Sequence, residues 1–391
     1  MEELNKNKSE NVEDFESKTT LADVDEQVKK GKSKKKKIIS VIFFFVNILI
    51  IVGILSYNLF SEDIAKLTLV DNINTLYFVL CIALIILVLV LDVAIVTALV
   101  FKSIKKFKPW LSFKSFIQMR YYDNITPMSV GGQSFMISYL VNRGVPGSKA
   151  LSIPMKKFIL QQLSWSVICL CGLIASIAMP SVEIPAAVYV FATIGFIINF
   201  GLIMFLFFGS TSKRMVLAVA VFGLNLLKKM HIVKNYDKWL DKCKKFVSEY
   251  QQTMKEFSKS KFEFVTLAFV NLVKNLLYFS IPFLICCIFT TPDINLFWQV
   301  FVYTVIIELA SSCCPLPGGS GMNEITFNVL FALILEGNVF WALLIWRFAS
   351  YYMWLILGLF VLIIDFVCGH RKAKKEQLVQ QTIEKENKDI G

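Results

Sequence analysis

An all-α integral membrane fold, a polytopic helical bundle of about six full spans with two re-entrant hairpins broken by Gly and Pro, is what the chain predicts. Three observations carry that prediction. Of the 391 residues 56% are hydrophobic and the mean hydropathy is +0.61, above the roughly 45–50% apolar content of a soluble domain. Several uncharged apolar runs reach the ~20 residues needed to cross a hydrocarbon core about 30 Å thick. Two further apolar runs are each interrupted by Pro followed by a Gly pair.

Residues Met1 to Lys37 are polar and rich in Glu, Lys, Asn and Ser, with too little apolar surface to offset the entropy of ordering, which predicts a disordered tail. The tail ends in the basic run Lys34 to Lys37, a flank that is retained in the cytoplasm. Ile38 to Phe60 is too long for a signal-peptide core and has no small-residue cleavage site, so it reads as an uncleaved first span. Glu62, Asp63 and Asp71 against Lys66 place the next loop outside. Leu76 to Phe101 returns to a loop with Lys102, Lys105, Lys106, Lys108 and Lys114.

Phe116 to Val141 is broken at Pro127, Gly131 and Gly132, and is flanked on its far side by Arg143, Lys149, Lys156 and Lys157. Basic flanks on both sides predict a hairpin entering from the cytoplasm. Phe158 to Met179 then crosses outward and Ala186 to Phe208 crosses back, joined by a loop without Lys or Arg. The basic stretch Lys213 to Lys261 follows. Within it Met215 to Leu227 is too short to span and is assigned to the interface, the remainder to a cytoplasmic helix.

Phe262 to Phe289 crosses outward. Leu296 to Leu335 is broken at Pro315 to Gly321 and lacks basic residues on either flank, which predicts a hairpin entering from outside. Val339 to Val367 returns to the charged tail that begins near His370. The domain plan is therefore a tail over 1–37, a membrane domain over 38–368 and a second tail over 369–391, with both termini cytoplasmic in a cell membrane. The order span, span, hairpin, span occurs twice with opposite orientation, an inverted repeat.

The net charge of +12 sits in blocks between apolar runs, so it reports orientation and contact with anionic lipid rather than nucleic acid. Nine cysteines, mostly inside apolar runs, form no CxxC pair, and neither a disulfide framework, a zinc site nor any cofactor is expected. Membrane lipids are the expected partners, with a second copy of the chain or a lipid-synthesis enzyme as further candidates.

The broken segments TPMSVGG (Thr126 to Gly132) and PLPGGSG (Pro315 to Gly321) leave backbone groups unpaired at membrane depth. Such groups are tolerated only where protein or a water-filled cavity satisfies them. Thr126, Pro127, Gly131, Gly132 and Gln133 on one side, and Pro317, Gly318, Gly319 and Gly321 on the other, are thus expected to line a cavity. Half-helix N-termini there would suit an anionic phosphate. Packing kinks are the plainer alternative.

Intramembrane charges are costly and face a bundle interior. Asp92, Arg120, Asp123, Lys274, Glu308, Glu324 and Arg347 are of this kind. Arg347 offers bidentate recognition of phosphate, with an internal ion pair to Glu308 or Glu324 as the alternative. Asp123 and Glu324, beside the two glycine motifs, either receive an ammonium or hydroxyls, or cap half-helices. Glu308 and Asp92 complete the candidate binding set, for which no catalytic residue is assigned. Asn271, Lys274 and Asn275 form a polar stripe, with structural hydrogen bonding as the expected role of the two asparagines.

ITPMSVGGQSFMISYLVNRGVPGSKA (Ile125 to Ala150), CCPLPGGSGMNEITFNVLF (Cys313 to Phe331) and WRFASYY (Trp346 to Tyr352) resemble the membrane domain of the lysylphosphatidylglycerol synthase/flippase family. The resemblance extends over about residues 38 to 368. It implies movement of a phospholipid such as lysyl-phosphatidylglycerol, or of a glycolipid, between leaflets. In two-domain members a separate C-terminal domain makes the lysyl lipid. This chain ends soon after its last span and is expected to lack that domain, so a phosphatidylglycerol lysyltransferase is the second reading and a scaffold for lipid synthesis the third.

Overall fold

The computed structural model describes residues 73–365 and 367, apart from 130, 180–181, 212–216, 219–220, 223 and 226–235. All of them fall in one compact unit, Ile50–Gly391. The tails, the first span Ile38 to Phe60 and most of the short segment Met215 to Leu227 lie outside the described residues.

Among the described residues the secondary structure is helical, without strands. We number α1 Thr75–Ile104, α2 Pro109–Ile125, α3 Gly131–Val141, α4 Gly147–Ala178, α5 Ala186–Thr211 and α6 Tyr236–Lys259. The chain continues with α7 Lys261–Phe279, α8 Ile281–Phe289, α9 Ile294–Ser311, α10 Met322–Leu335 and α11 Val339–Arg347. A π-turn, Phe348–Tyr352, follows α11, and the helix then runs on to Asp365. Short 3₁₀ turns at Pro127–Ser129 and Pro317–Gly319 separate α2 from α3 and α9 from α10.

Among the described residues six helices or helix runs are long and apolar enough to cross a membrane: α1, α4, α5, α7 with α8, α9, and the run Pro317–Asp365. Their outward faces carry large apolar side chains, for example Leu76, Ile86, Ile177, Ile197, Phe269 and Leu333. In water such an all-round apolar surface would aggregate, whereas in lipid it is the solvated face. The chain is therefore an all-α polytopic membrane protein, as its composition predicts.

Two hairpins are present. Helices α2 and α3 pack on each other, as do α9 and α10, and the two 3₁₀ turns at their tips touch. Each tip turns through positive φ: Met128 at 54° and Ser129 at 53° in the first, Gly318 at 62°, Gly319 at 63° and Gly321 at 89° in the second. Two non-glycine residues in the left-handed region mark local strain at the first tip.

Equivalent elements of the two halves run in opposite directions. At one end of α1 the Asn74 N–H donates to Ile288 O of α8 at 3.0 Å, and at the other Lys102 pairs with Glu263 of α7 at 3.4 Å. Likewise Asp365, which closes the last helix, pairs with Arg143, just before α4, at 2.9 Å, and with Lys114 of α2 at 2.7 Å. Antiparallel equivalents are the signature of an inverted repeat. Lys102, Lys105, Lys106, Lys108, Arg143, Lys149, Lys259 and Lys261 consequently gather at one end of the bundle.

One expectation needs correction. The span predicted to begin at Phe158 begins at Gly147, as α4 runs to Ala178 with Pro154 inside it. Lys157, read as a flanking cation, is therefore buried at 4% exposure within the bundle. Lys157 is tolerated inside the span because a carboxylate from another helix, Asp92, neutralises it.

Candidate functional site

The two hairpins, α1, α4, α5, α7 and the last helix line a partly open cavity of about 540 Å3. Its wall is unusually charged for the inside of an apolar bundle: Asp92, Asp123 and Glu308 face Arg120, Lys157, Lys274 and Arg347. Each isolated charge placed at bilayer depth costs at least about 2.5 kcal/mol on insertion scales, so the set persists because its members neutralise one another or await a charged guest.

Asp92 of α1 serves two cations. Lys157 Nζ donates to its Oδ1, and Lys274 Nζ lies 3.4 Å from the same oxygen. Asn271 locks this group: its Oδ1 accepts from Lys157 at 3.2 Å while its Nδ2 donates to Leu160 O and Ser164 Oγ at 2.9 and 3.0 Å. Lys274 also donates to Gln161, which in turn donates to Asn275. Asn271 and Asn275 are thus hydrogen-bonded structurally, as expected, Lys274 joins the same network, and Asp92 is a buried counter-ion held between three helices.

Arg347 pairs with Glu324, Nε to Oε1 at 2.6 Å, both nearly fully buried. The N–H is not aligned on that oxygen, so the contact is one of charges rather than a linear hydrogen bond. The remaining nitrogens of Arg347 donate to Gly318 O at 3.3 Å and Ser320 Oγ at 3.2 Å, and the guanidinium lies 4.9 Å from the Tyr351 ring centroid. Of the two readings open for Arg347, the internal pair with Glu324 is the one formed. Glu308 stands apart, accepting from Tyr278 O–H at 2.9 Å.

The half-helix N-termini are capped by the chain itself. Asp123 Oδ1 accepts from Gly132 N–H at 2.9 Å and Thr126 Oγ1 from Gly131 N–H at 3.0 Å, while Glu324 Oε2 accepts from Gly321 N–H at 2.7 Å. These caps satisfy groups that a helix start leaves orphaned. They also correct the expectation that these particular N–H groups await a phosphate. Gly132 has to be glycine, because a Cβ there would collide with Met119 O and the Asp123 carboxylate.

Among the residues singled out by sequence, Arg347, Glu308, Asp123, Asp92, Gln133, Gly318 and Gly319 line the cavity. Thr126, Pro127, Gly131, Gly132, Pro317, Gly321 and Glu324 instead build and cap the tips. Arg120 and Lys274, expected to face the bundle interior, line it too, whereas Lys157, Gln161, Gln162, Asn199 and Tyr278, which also line it, were left out by sequence reasoning. A signal existed: Gln161 and Gln162 with Lys157 form a polar band inside an otherwise apolar run.

Fold and site together define a polytopic helical membrane protein whose two opposed, broken hairpins meet at a charged, partly open cavity. The sequence pattern of the lysylphosphatidylglycerol synthase TM region matches residues 38–358, and the chain belongs to that family. No curated protein and no solved structure matches it.

Proposed function

We propose that the protein is a flippase-like lipid transporter of the cytoplasmic membrane, moving an anionic or aminoacylated phospholipid of the lysyl-phosphatidylglycerol type, or a glycolipid, between leaflets. The observation that carries this reading is the charged cavity at the contact of two oppositely directed hairpin tips. A lipid headgroup crossing a bilayer has to exchange its hydration for protein contacts, and a polar chamber between inverted repeats supplies them. Asp123 and Glu308 would face a headgroup ammonium or hydroxyls, while the cationic wall faces its phosphate. The basic end of the bundle would lie in the cytoplasm.

Reconstitution into liposomes with fluorescent phosphatidylglycerol, its lysyl ester and a glycolipid, followed by dithionite quenching, tests the proposal. Faster leaflet exchange of one class than in protein-free liposomes is expected. In Glu308→Gln any preference for the lysyl ester is expected to fall. Exchange of none of them would remove the transporter reading and direct attention to headgroup transfer.

A further inference from the structure

Nine buried polar side-chain atoms among the described residues have no hydrogen-bond partner, and seven of them, on Arg120, Asn124, Asn275, Asn323, Arg347, Ser350 and Trp354, belong to residues lining the cavity. Buried polar groups are nearly always satisfied, so orphans that belong to residues of one cavity wall, each atom itself occluded, mark that wall as one whose polar groups are uncommitted. Arg347 Nε drops out, since it is charge-paired with Glu324. What remains has a bias: Arg120 Nε, Asn124 Nδ2, Asn275 Nδ2 and Trp354 Nε1 are donors, Ser350 Oγ is able to donate, and only Asn323 Oδ1 is purely an acceptor.

Four of these donors share one seam. Arg120 and Asn124 lie one turn apart on α2, and Ser350 and Trp354 one turn apart on the last helix. The seam is held by the Arg120 guanidinium 4.8 Å from the Trp354 ring centroid, by the Tyr351 hydroxyl donating to Asn124 O at 3.3 Å, and by Gln118 Nε2 donating to Gly358 O at 3.0 Å. The other cavity cations are committed, Lys157 and Lys274 to Asp92 and Arg347 to Glu324. Arg120 has no described carboxylate within ion-pair distance, Asp92, Asp123 and Glu308 acting on it only at longer range, and its guanidinium lies against the Trp354 indole.

We propose that this seam is the cavity's oxyanion subsite, with Arg120 as its charge, and that it takes the phosphodiester of a lipid headgroup. Arg347 is then a positioning residue that holds the second hairpin tip. A phosphodiester fits because it brings one negative charge and several acceptor oxygens with no proton to give, the complement of a donor-rich pocket. The assignment rests on the transporter reading only for its choice of a lipid; the anion site follows from the donors alone.

The experiment is native mass spectrometry of the full chain in nanodiscs. The probes are phosphatidylglycerol, diacylglycerol with the same tails and no phosphate, and inorganic phosphate. Variants are Arg120→Gln, Arg120→Lys and Ser350→Ala, with thermal melting and elution profile as the check on folding. Wild type is expected to retain phosphatidylglycerol over diacylglycerol, and Arg120→Gln to weaken that retention about tenfold or more, the size of one charge-assisted hydrogen bond. If Arg120→Gln fails to fold, Arg120→Lys and Ser350→Ala carry the test, with weaker retention at an unchanged melting temperature expected.

Wild-type retention of phosphatidylglycerol by well-folded variants overturns the subsite. Inorganic phosphate competing as well as the lipid would overturn the lipid assignment. Retention that depends on Arg120 without any leaflet exchange in liposomes would leave the subsite standing and sink the transporter reading instead.

Discussion

Arg347 of α11 and Glu324 of the second hairpin are paired at 2.6 Å, and the same arginine grips Gly318 O and Ser320 Oγ at the hairpin's tip. One side chain thereby fixes the conformation of PGGSG from the neighbouring helix. Breaking a buried pair by removing one partner leaves an uncompensated charge and costs about 3–5 kcal/mol. Glu324→Gln and Arg347→Gln are each expected to lower the melting temperature in detergent sharply. The double variant is expected to lose less than the sum of the two, and additive losses would show that the charges are not coupled.

Asp92 answers two lysines, so its loss should hurt more than the loss of either. Asp92→Asn leaves Lys157 and Lys274 facing each other in an apolar bundle, whereas Lys274→Gln leaves Asp92 with Lys157. Monodisperse yield by fluorescence-detected size exclusion is expected to collapse for the first and to persist for the second. Equal yields would contradict the network.

The glycines separate by environment. A Cβ at Gly318 would enter the Tyr351 ring at a positive φ, while one at Gly147 meets nothing within 4 Å. Gly318→Ala is expected to cost well over the ~1–2 kcal/mol of left-handed strain alone, and Gly147→Ala to sit within about 0.5 kcal/mol of wild type, as surface substitutions do. Thermal melting of the two variants decides this.

Cross-linking tests the inverted repeat directly. Cysteines at Lys102 and Glu263 are expected to be joined by a short bis-maleimide, since their side chains meet at 3.4 Å, while Asn74 and Glu263, at opposite ends of antiparallel helices, are not. The reverse result would mean that α1 and α7 run parallel.

Much of this was readable in the amino-acid order. Long apolar runs are imposed by the hydrocarbon thickness, and the two Pro–Gly–Gly breaks declare themselves because lipid punishes irregular backbone. Side-chain commitments were harder to read. Whether Arg347 met Glu308 or Glu324, and whether Asp123 capped a helix or faced the cavity, depended on tertiary approach; Asp123 does both. Lys157 was misplaced for the same reason, since its partner Asp92 is 65 positions away in sequence. The donor seam was invisible because it is defined by what its atoms lack.

The last helix touches both hairpins. It grips the second through Arg347, and it meets the first through Tyr351, Trp354, Gly358 and Asp365. Glycine makes two such approaches possible in mirrored fashion: Gly358 of this helix fits against Tyr121 of α2, and Gly172 of α4 against Val305 of α9. Each repeat thus lends its closing helix to the other's hairpin. The packing units are therefore composites, neither of them contiguous in the chain. Either repeat produced alone would present an empty berth where its twin's helix belongs, so the gene could be cut at its midpoint only if both fragments were made together and allowed to interlock.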